Sequence, residues 1–275
     1  MAVYALDGTE IDYVYDVDGT ELEDVYDLEG NRIGMEHNYR EFLQSATVSN
    51  VGNVEVSGTK QGACTDGEYI YQAVGDSSGY TYMNILKYKI SDGTVETANF
   101  EGTPNFGHAN DMIYNPVTGY LYVCTMLSTG AVVILDASDL SYVTTITVLD
   151  ENGDPYAVWQ ACYDRTNDCY YSTHSGYVYV YDSSWEYVRK YALYGTPEGT
   201  QQGCETDGEY YYRCIYSPNS IDVTSLTGHY VATVSMSSIS GEPESIMYDW
   251  NGNFYVSKNA SRLYLFKVGL YADEA

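Results

Sequence analysis

Basic residues are scarce: 12 Lys+Arg stand against 39 Asp+Glu, a formal net charge of −27. Such a chain repels phosphate backbones, which makes nucleic acid a poor partner and an anionic membrane surface an equally poor one. No apolar run reaches the roughly 18 residues of a membrane-spanning helix, so no membrane insertion is expected. The opening MAVYALDG has no basic stretch, apolar core or cleavage site of a signal peptide. The expectation is synthesis in a cytoplasm, with any outside role reached by another route. None of the six cysteines forms a CxxC, so zinc spacing is absent. Cys162 and Cys169 flank one turn and Cys204 and Cys214 another, where bridges are geometrically conceivable, but reduced buried thiols are the expectation without a secretory signal. HExxH and phosphate-loop motifs are missing too.

What is present in excess is tyrosine, 33 residues against five phenylalanines and three tryptophans. A ring with an apolar body and a wet hydroxyl suits half-buried strands and recognition surfaces. The first tyrosines are periodic. Tyr4, Tyr15 and Tyr26 recur eleven residues apart, and so do Gly8, Gly19 and Gly30. Each unit reads strand, Asp-Gly or Glu-Gly turn, strand, with Leu6/Ile11, Val17/Leu22 and Leu28/Ile33 as apolar pairs across the turn. Units this small bury no core alone, so residues 1–34 are expected to stack on each other or on other copies, as an attachment or oligomerisation segment. The D-x-D-G of Asp16 to Gly19 suggests Ca²⁺, but the further ligands of a calcium loop are missing and a turn is the better reading. No other cofactor is indicated. Met35, Tyr39, Phe42 and Leu43 fall on one helical face, which predicts a linker helix over 35–45.

From residue 46 to 275 short strands alternate with Gly, Asn, Asp and Ser. QGACTDGEYIYQ at Gln61 returns as QQGCETDGEYYYR at Gln201, with HANDMIYNPVTGYLYV, WQACYDRTNDCYYST and ESIMYDWNGNFYVS sharing the grammar. The turn residues Asp66, Asn115, Asp164, Asp207 and Asp249 are spaced by 49, 49, 43 and 42. Four strands in each such interval is the pattern of a β-propeller, and five blades fit. The last blade is short, and ATVSNVGNVEVSG, ahead of the first, is expected to complete it and close the ring. The fold class expected is therefore all-β: a five-bladed β-propeller preceded by short N-terminal β-hairpin repeats and a short linker helix.

Innermost strands face a central channel, so equivalent positions form a ring. Five residues before each turn residue stand Gln61, Asn110, Trp159, Gln202 and Glu244, with His108, Asp111, Gln160 and Glu242 beside them. Amides and carboxylates bind hydroxyl pairs and an indole stacks on a sugar face, so this ring is the candidate ligand site. The same polar groups also suit a purely structural ring, satisfying one another or holding water. Catalysis has two candidates, His108 as base and Glu244 as acid. Strand alternation points His108 and Asn110 one way and Asp111 the other, which weakens a His–Asp pair. His174, in THSG, reads as a loop residue.

The blades, with QG…DGEYIY, GHANDMIYNPVTGYLYV and EPESIMYD.NGNFYVS, resemble the propeller domains of teichoic-acid biosynthesis protein C-like proteins in phages and prophages of Gram-positive bacteria. The EPES…GNFYV blade is similar to streptogramin-lyase-type propellers, with no catalytic role carried over. The YDxDGTEL units look like repeats heading tail and appendage proteins in phages of gut Firmicutes. The resemblance implies a virion protein, its repeats docking it onto other virion proteins or trimerising it, and its propeller recognising host cell-surface carbohydrate. A glycan lyase or depolymerase and a purely structural decoration protein are the alternatives.

Overall fold

The computed structural model describes residues 40–75, 82–193 and 199–271, and the backbone of four two-residue strands nearer the N-terminus. The chain divides into two units, Met1–Glu41 and Phe42–Ala275. In the first, Val3–Tyr4 pairs with Glu10–Ile11 and Val25–Tyr26 with Arg32–Ile33, both antiparallel. Hairpins therefore form in the first and third repeats, but the register differs from expectation. Ile11 pairs with Val3 rather than Leu6, and Ile33 with Val25 rather than Leu28, the next pairs being Tyr4 with Glu10 and Tyr26 with Arg32. The middle repeat and its Asp16 to Gly19 motif lie outside the described residues.

No helix occurs among the described residues. Met35 and Tyr39 of the predicted linker lie outside them, while Phe42 and Leu43 begin a 13-residue strand, Phe42–Val54. The helical spacing was misleading because Phe42 packs across a sheet, its ring against those of Tyr210, Tyr212 and Tyr271. Tertiary packing of an aromatic overrides a short local periodicity.

The second unit is a β-propeller. Three of its sheets are four-stranded antiparallel meanders, running Thr59–Thr65 to Val95–Glu101, Asp111–Asn115 to Tyr142–Thr147, and Ala161–Asp164 to Tyr187–Ala192. The remaining sheet has eight strands and two halves. One half is the meander Thr200–Thr206 to Tyr230–Ser235. In the other, Glu242–Tyr248, Phe254–Asn259 and Leu263–Tyr271 are completed by Phe42–Val54, antiparallel to Leu263–Tyr271. A single parallel pair, Ser235 with Ser45, joins the halves. N- and C-terminal strands thus close the ring together, as the sequence led one to expect.

The turn residues that set the repeat act by one mechanism. Asp66 Oδ1 accepts from the N–H groups of Glu68 and Tyr69 (2.8 and 2.6 Å), and Asp207 does the same for Glu209 and Tyr210 (2.9 and 2.8 Å). Asn115, Asp164 and Asp249 close their hairpins likewise. A short carboxylate or amide mimics the backbone of the turn. The tyrosines use the other oxygen: Tyr71 and Tyr212 donate to Oδ2 of Asp66 and Asp207, both at 2.7 Å. Their rings, with Tyr170, Tyr181 and Tyr211, are fully buried between sheets. This explains the preference for Tyr over Phe: the ring fills the core while its hydroxyl satisfies a turn. All six cysteines are free and buried.

Candidate functional site

The inner strands Thr59–Thr65, Asp111–Asn115, Ala161–Asp164, Thr200–Thr206 and Glu242–Tyr248 pack against one another around the axis. At the level of Ala63, Asp111, Ala161, Cys204 and Ser245 the channel is closed. Asp111, fully buried, accepts the N–H of Cys204 (3.0 Å) on Oδ2 and that of Met112 (3.0 Å) on Oδ1. It also takes the Ala161 N–H and the Ser245 hydroxyl (3.4 Å), and Ser245 Oγ in turn accepts the Ala63 N–H (2.9 Å). One side chain thereby ties every inner strand to its own. Burial pushes its carboxyl well above the usual range, against the pull of these donors.

Two glycines permit this approach. A Cβ on Gly62 would lie 2.4 Å from the Asp111 backbone, and one on Gly203 would lie 2.9 Å from both Asp111 Oδ1 and Ser245 Cα. No side chain fits at either place.

The mouth lies one and two residues earlier on the same strands. Asn110 crosses the axis, donating through Nδ2 to the carbonyls of Trp159 (2.8 Å) and Gln202 (3.1 Å). Gln202 Nε2 donates to Glu242 Oε1 at 2.9 Å. Gln160 Nε2 donates to Thr173 Oγ1 and to Gln201 Oε1 (2.5 Å). The Oε1 atoms of Gln61 and Gln160 are buried without a hydrogen-bond partner in the protein. Trp159 alone of the ring stands out, 41% exposed, its indole 5.3 Å from the imidazole of His174. Glu244 is buried, and Asn259 hydrogen-bonds its carboxyl. Burial, then the neighbouring Glu242 carboxylate, raises its pKa to about 9. His108 is half-buried, and desolvation lowers its pKa against the opposite effect of Glu242. Glu242 is thus flanked by a carboxyl that burial keeps protonated and by an imidazole that burial keeps neutral.

The structure brings Gln61, Asn110, Trp159, Gln160, Gln202 and Glu244 to the mouth, with His108 beside Glu242, but not as one flat ring. Counted from the turn residues, Asp111 and Ser245 stand four before, whereas Ala63, Ala161 and Cys204 stand three before. Asn110 and Glu244 therefore sit one residue deeper than Gln61, Trp159 and Gln202, level with Gln160. Strand alternation also fails for Asp111. Ala109 has φ 50° and the strand begins at Asp111, so Asn110 and Asp111 both reach the axis. His174, read as a loop residue, ends the strand Cys169–His174 and supports the indole. Thr173, Gln201 and Asn259 went unseen as well. Counting back across each hairpin from its turn would have placed Thr173 and Asn259. Among the described residues no group of three or more His, Cys, Asp and Glu forms a metal site.

No family model and no curated protein sequence matches the chain. Solved structures do. The glutaminyl cyclase of Myxococcus xanthus superposes with a TM-score of 0.64 at 13% identity, over 84% of this chain and 98% of that one. A Bacteroides thetaiotaomicron protein of unknown function gives 0.52 at 11% identity, over 92% and 80%. The tail fibre of Staphylococcus aureus phage P68 gives 0.51 at 14% identity, over 83% of this chain and 53% of the fibre. At such identities these likenesses show the propeller fold alone.

Proposed function

We propose that the chain is a virion-associated tail or appendage protein of a bacteriophage. In this reading the propeller mouth holds host cell-surface carbohydrate, and the N-terminal repeats join the protein to other virion components or to further copies, as a trimer. One observation carries the recognition half: an exposed indole, Trp159, braced on His174 beside a ring of buried amides and a carboxylate. An apolar plate next to convergent hydrogen-bonding groups is what a sugar ring requires. The virion half draws support from the phage tail fibre that shares the fold and from the resemblance of the repeats.

A second reading, a glycan-cleaving enzyme, is favoured by Glu244, held protonated by burial, and His108, held neutral, which both neighbour Glu242. The test is a glycan and cell-wall binding screen with the full chain, scored in parallel for released oligosaccharide. Binding without product, weakened by Trp159→Ala, is the expected result. Trp159 is 41% exposed, so a thermal melt of the variant accompanies the binding measurement. Product that disappears in His108→Ala or Glu244→Gln would replace the first reading with the second. Silence toward every glycan would overturn both and leave a decoration protein.

A further inference from the structure

The hydrogen bonds of the mouth are unbalanced in one direction. Every amide donor whose bonds are described above already has a protein acceptor: Asn110 holds two carbonyls, Gln202 holds Glu242, and Gln160 holds Thr173 and Gln201. Gln72, behind Gln61, donates to the carbonyls of Gln61, Gly62 and Ala73. Acceptor capacity is left over among the amides and at Glu242. Gln61 is 3% exposed and Gln160 1%, yet Oε1 of each has no protein donor. A carboxylate offers about four acceptor sites, and Gln202 fills one of those on Glu242.

Gln61 and the acidic pair adjoin each other. Lys60, one residue before Gln61, donates its N–H to Asn259 Oδ1 (3.3 Å), and Asn259 is the residue bonded to Glu244. The cations nearby are committed elsewhere. Lys60 Nζ is held by the carbonyls of Val56 (2.6 Å) and Gly58 (2.8 Å), Lys258 Nζ bonds the Ser240 carbonyl, and Arg213 pairs with Asp222 at 3.5 Å.

We infer that the mouth selects a carbohydrate bearing a protonated primary amine, an unacetylated amino sugar. The ammonium brings three donors and a positive charge to Glu242 and the free amide oxygens, while Trp159 covers the apolar face of the ring. A neutral sugar supplies donors but no charge, and an acetylated one replaces the charge with a carbonyl that adds a further acceptor. This inference rests on the carbohydrate reading above and specifies its ligand.

The experiment compares the β-1,4 tetramer of glucosamine with that of N-acetylglucosamine, same backbone and linkage, by calorimetry on the full chain near pH 6.5. The expected result is at least about tenfold tighter binding of the free-amine tetramer, the scale of one charge-assisted contact. Glu242→Gln should erase that preference without lowering the melting temperature, and Trp159→Ala should weaken both ligands. Glu96→Gln, on an outer strand, controls for the general acidity and should change nothing.

Equal binding of the tetramers, or tighter binding of the acetylated one, would overturn the amine inference and leave the carbohydrate reading standing. So would a preference that survives Glu242→Gln or falls with Glu96→Gln. A free-amine tripeptide that binds while the glucosamine tetramer does not would overturn the choice of a sugar. Failure of every glycan, purified wall polymers included, would overturn the carbohydrate reading itself.

Discussion

The same inner strands build two unlike layers a residue or two apart. At Asp111 the layer is closed: backbone N–H groups of Cys204, Met112 and Ala161 and the Ser245 hydroxyl converge on one carboxyl, and glycines let the strands touch. One to three residues earlier, around Gln61, Gln160 and Glu242, the amide donors of Gln160 and Gln202 are taken while acceptors are left over, and an indole is exposed. The first layer is a joint; the second is the proposed receptor. Propeller strands converge on the axis, so a step of one or two residues separates a position where no side chain beyond glycine fits from one where amide side chains do.

The largest expected effect breaks the joint. Asp111→Ala strands the buried N–H groups of Cys204 and Ala161, each costing about 1–3 kcal/mol. Roughly 3–5 kcal/mol of stability should vanish in a denaturant titration. A loss below about 1 kcal/mol would mean that Asp111 is not what holds the inner strands. Gly62→Ala comes next, at about 1–3 kcal/mol for overpacking, because the atoms met are Asp111 backbone and have no rotamer of escape. If it proves neutral, the joint is looser than drawn.

A slope with pH tests the mouth itself. Glu244 is raised to about 9 and Glu205 to about 8, both chiefly by burial, against an unfolded value of roughly 4.3. The native state thus keeps protons that the unfolded chain releases above pH 4.3. Their contribution is full below that pH and is lost as pH climbs through 8 to 9. Asp111 acts in the same direction. Unfolding free energies at pH 5, 7 and 9 should fall in that order, and Glu244→Gln should flatten the fall. A rising series would mean the mouth carboxyl is already ionised in the native state.

Much of this was legible along the chain. The Asp and Asn turn residues announced the repeat because each closes its own hairpin, a local event that leaves a fixed mark. The residue types of the mouth could be read by counting back from those turns. What counting missed was depth: hairpins that differ by one residue move Asn110 and Glu244 a level inward. It also missed His174, whose role depends on a tryptophan arriving from another strand. The linker helix failed for a related reason, since Phe42 answers to Tyr210 and Tyr271, far away in sequence.

By itself the sequence determined an all-β propeller, closed by its two ends, with polar residues gathered at the axis. Turn chemistry and strand alternation act over a few residues and need no partner to be recognised. Only the tertiary structure decided which polar residues satisfy one another and which do not. Asp111 and Glu244 are both acidic residues near the start of an inner strand. One became the pivot of the joint and the other a protonated acid at the mouth because their neighbours across the axis, not those along the chain, set what each can bond.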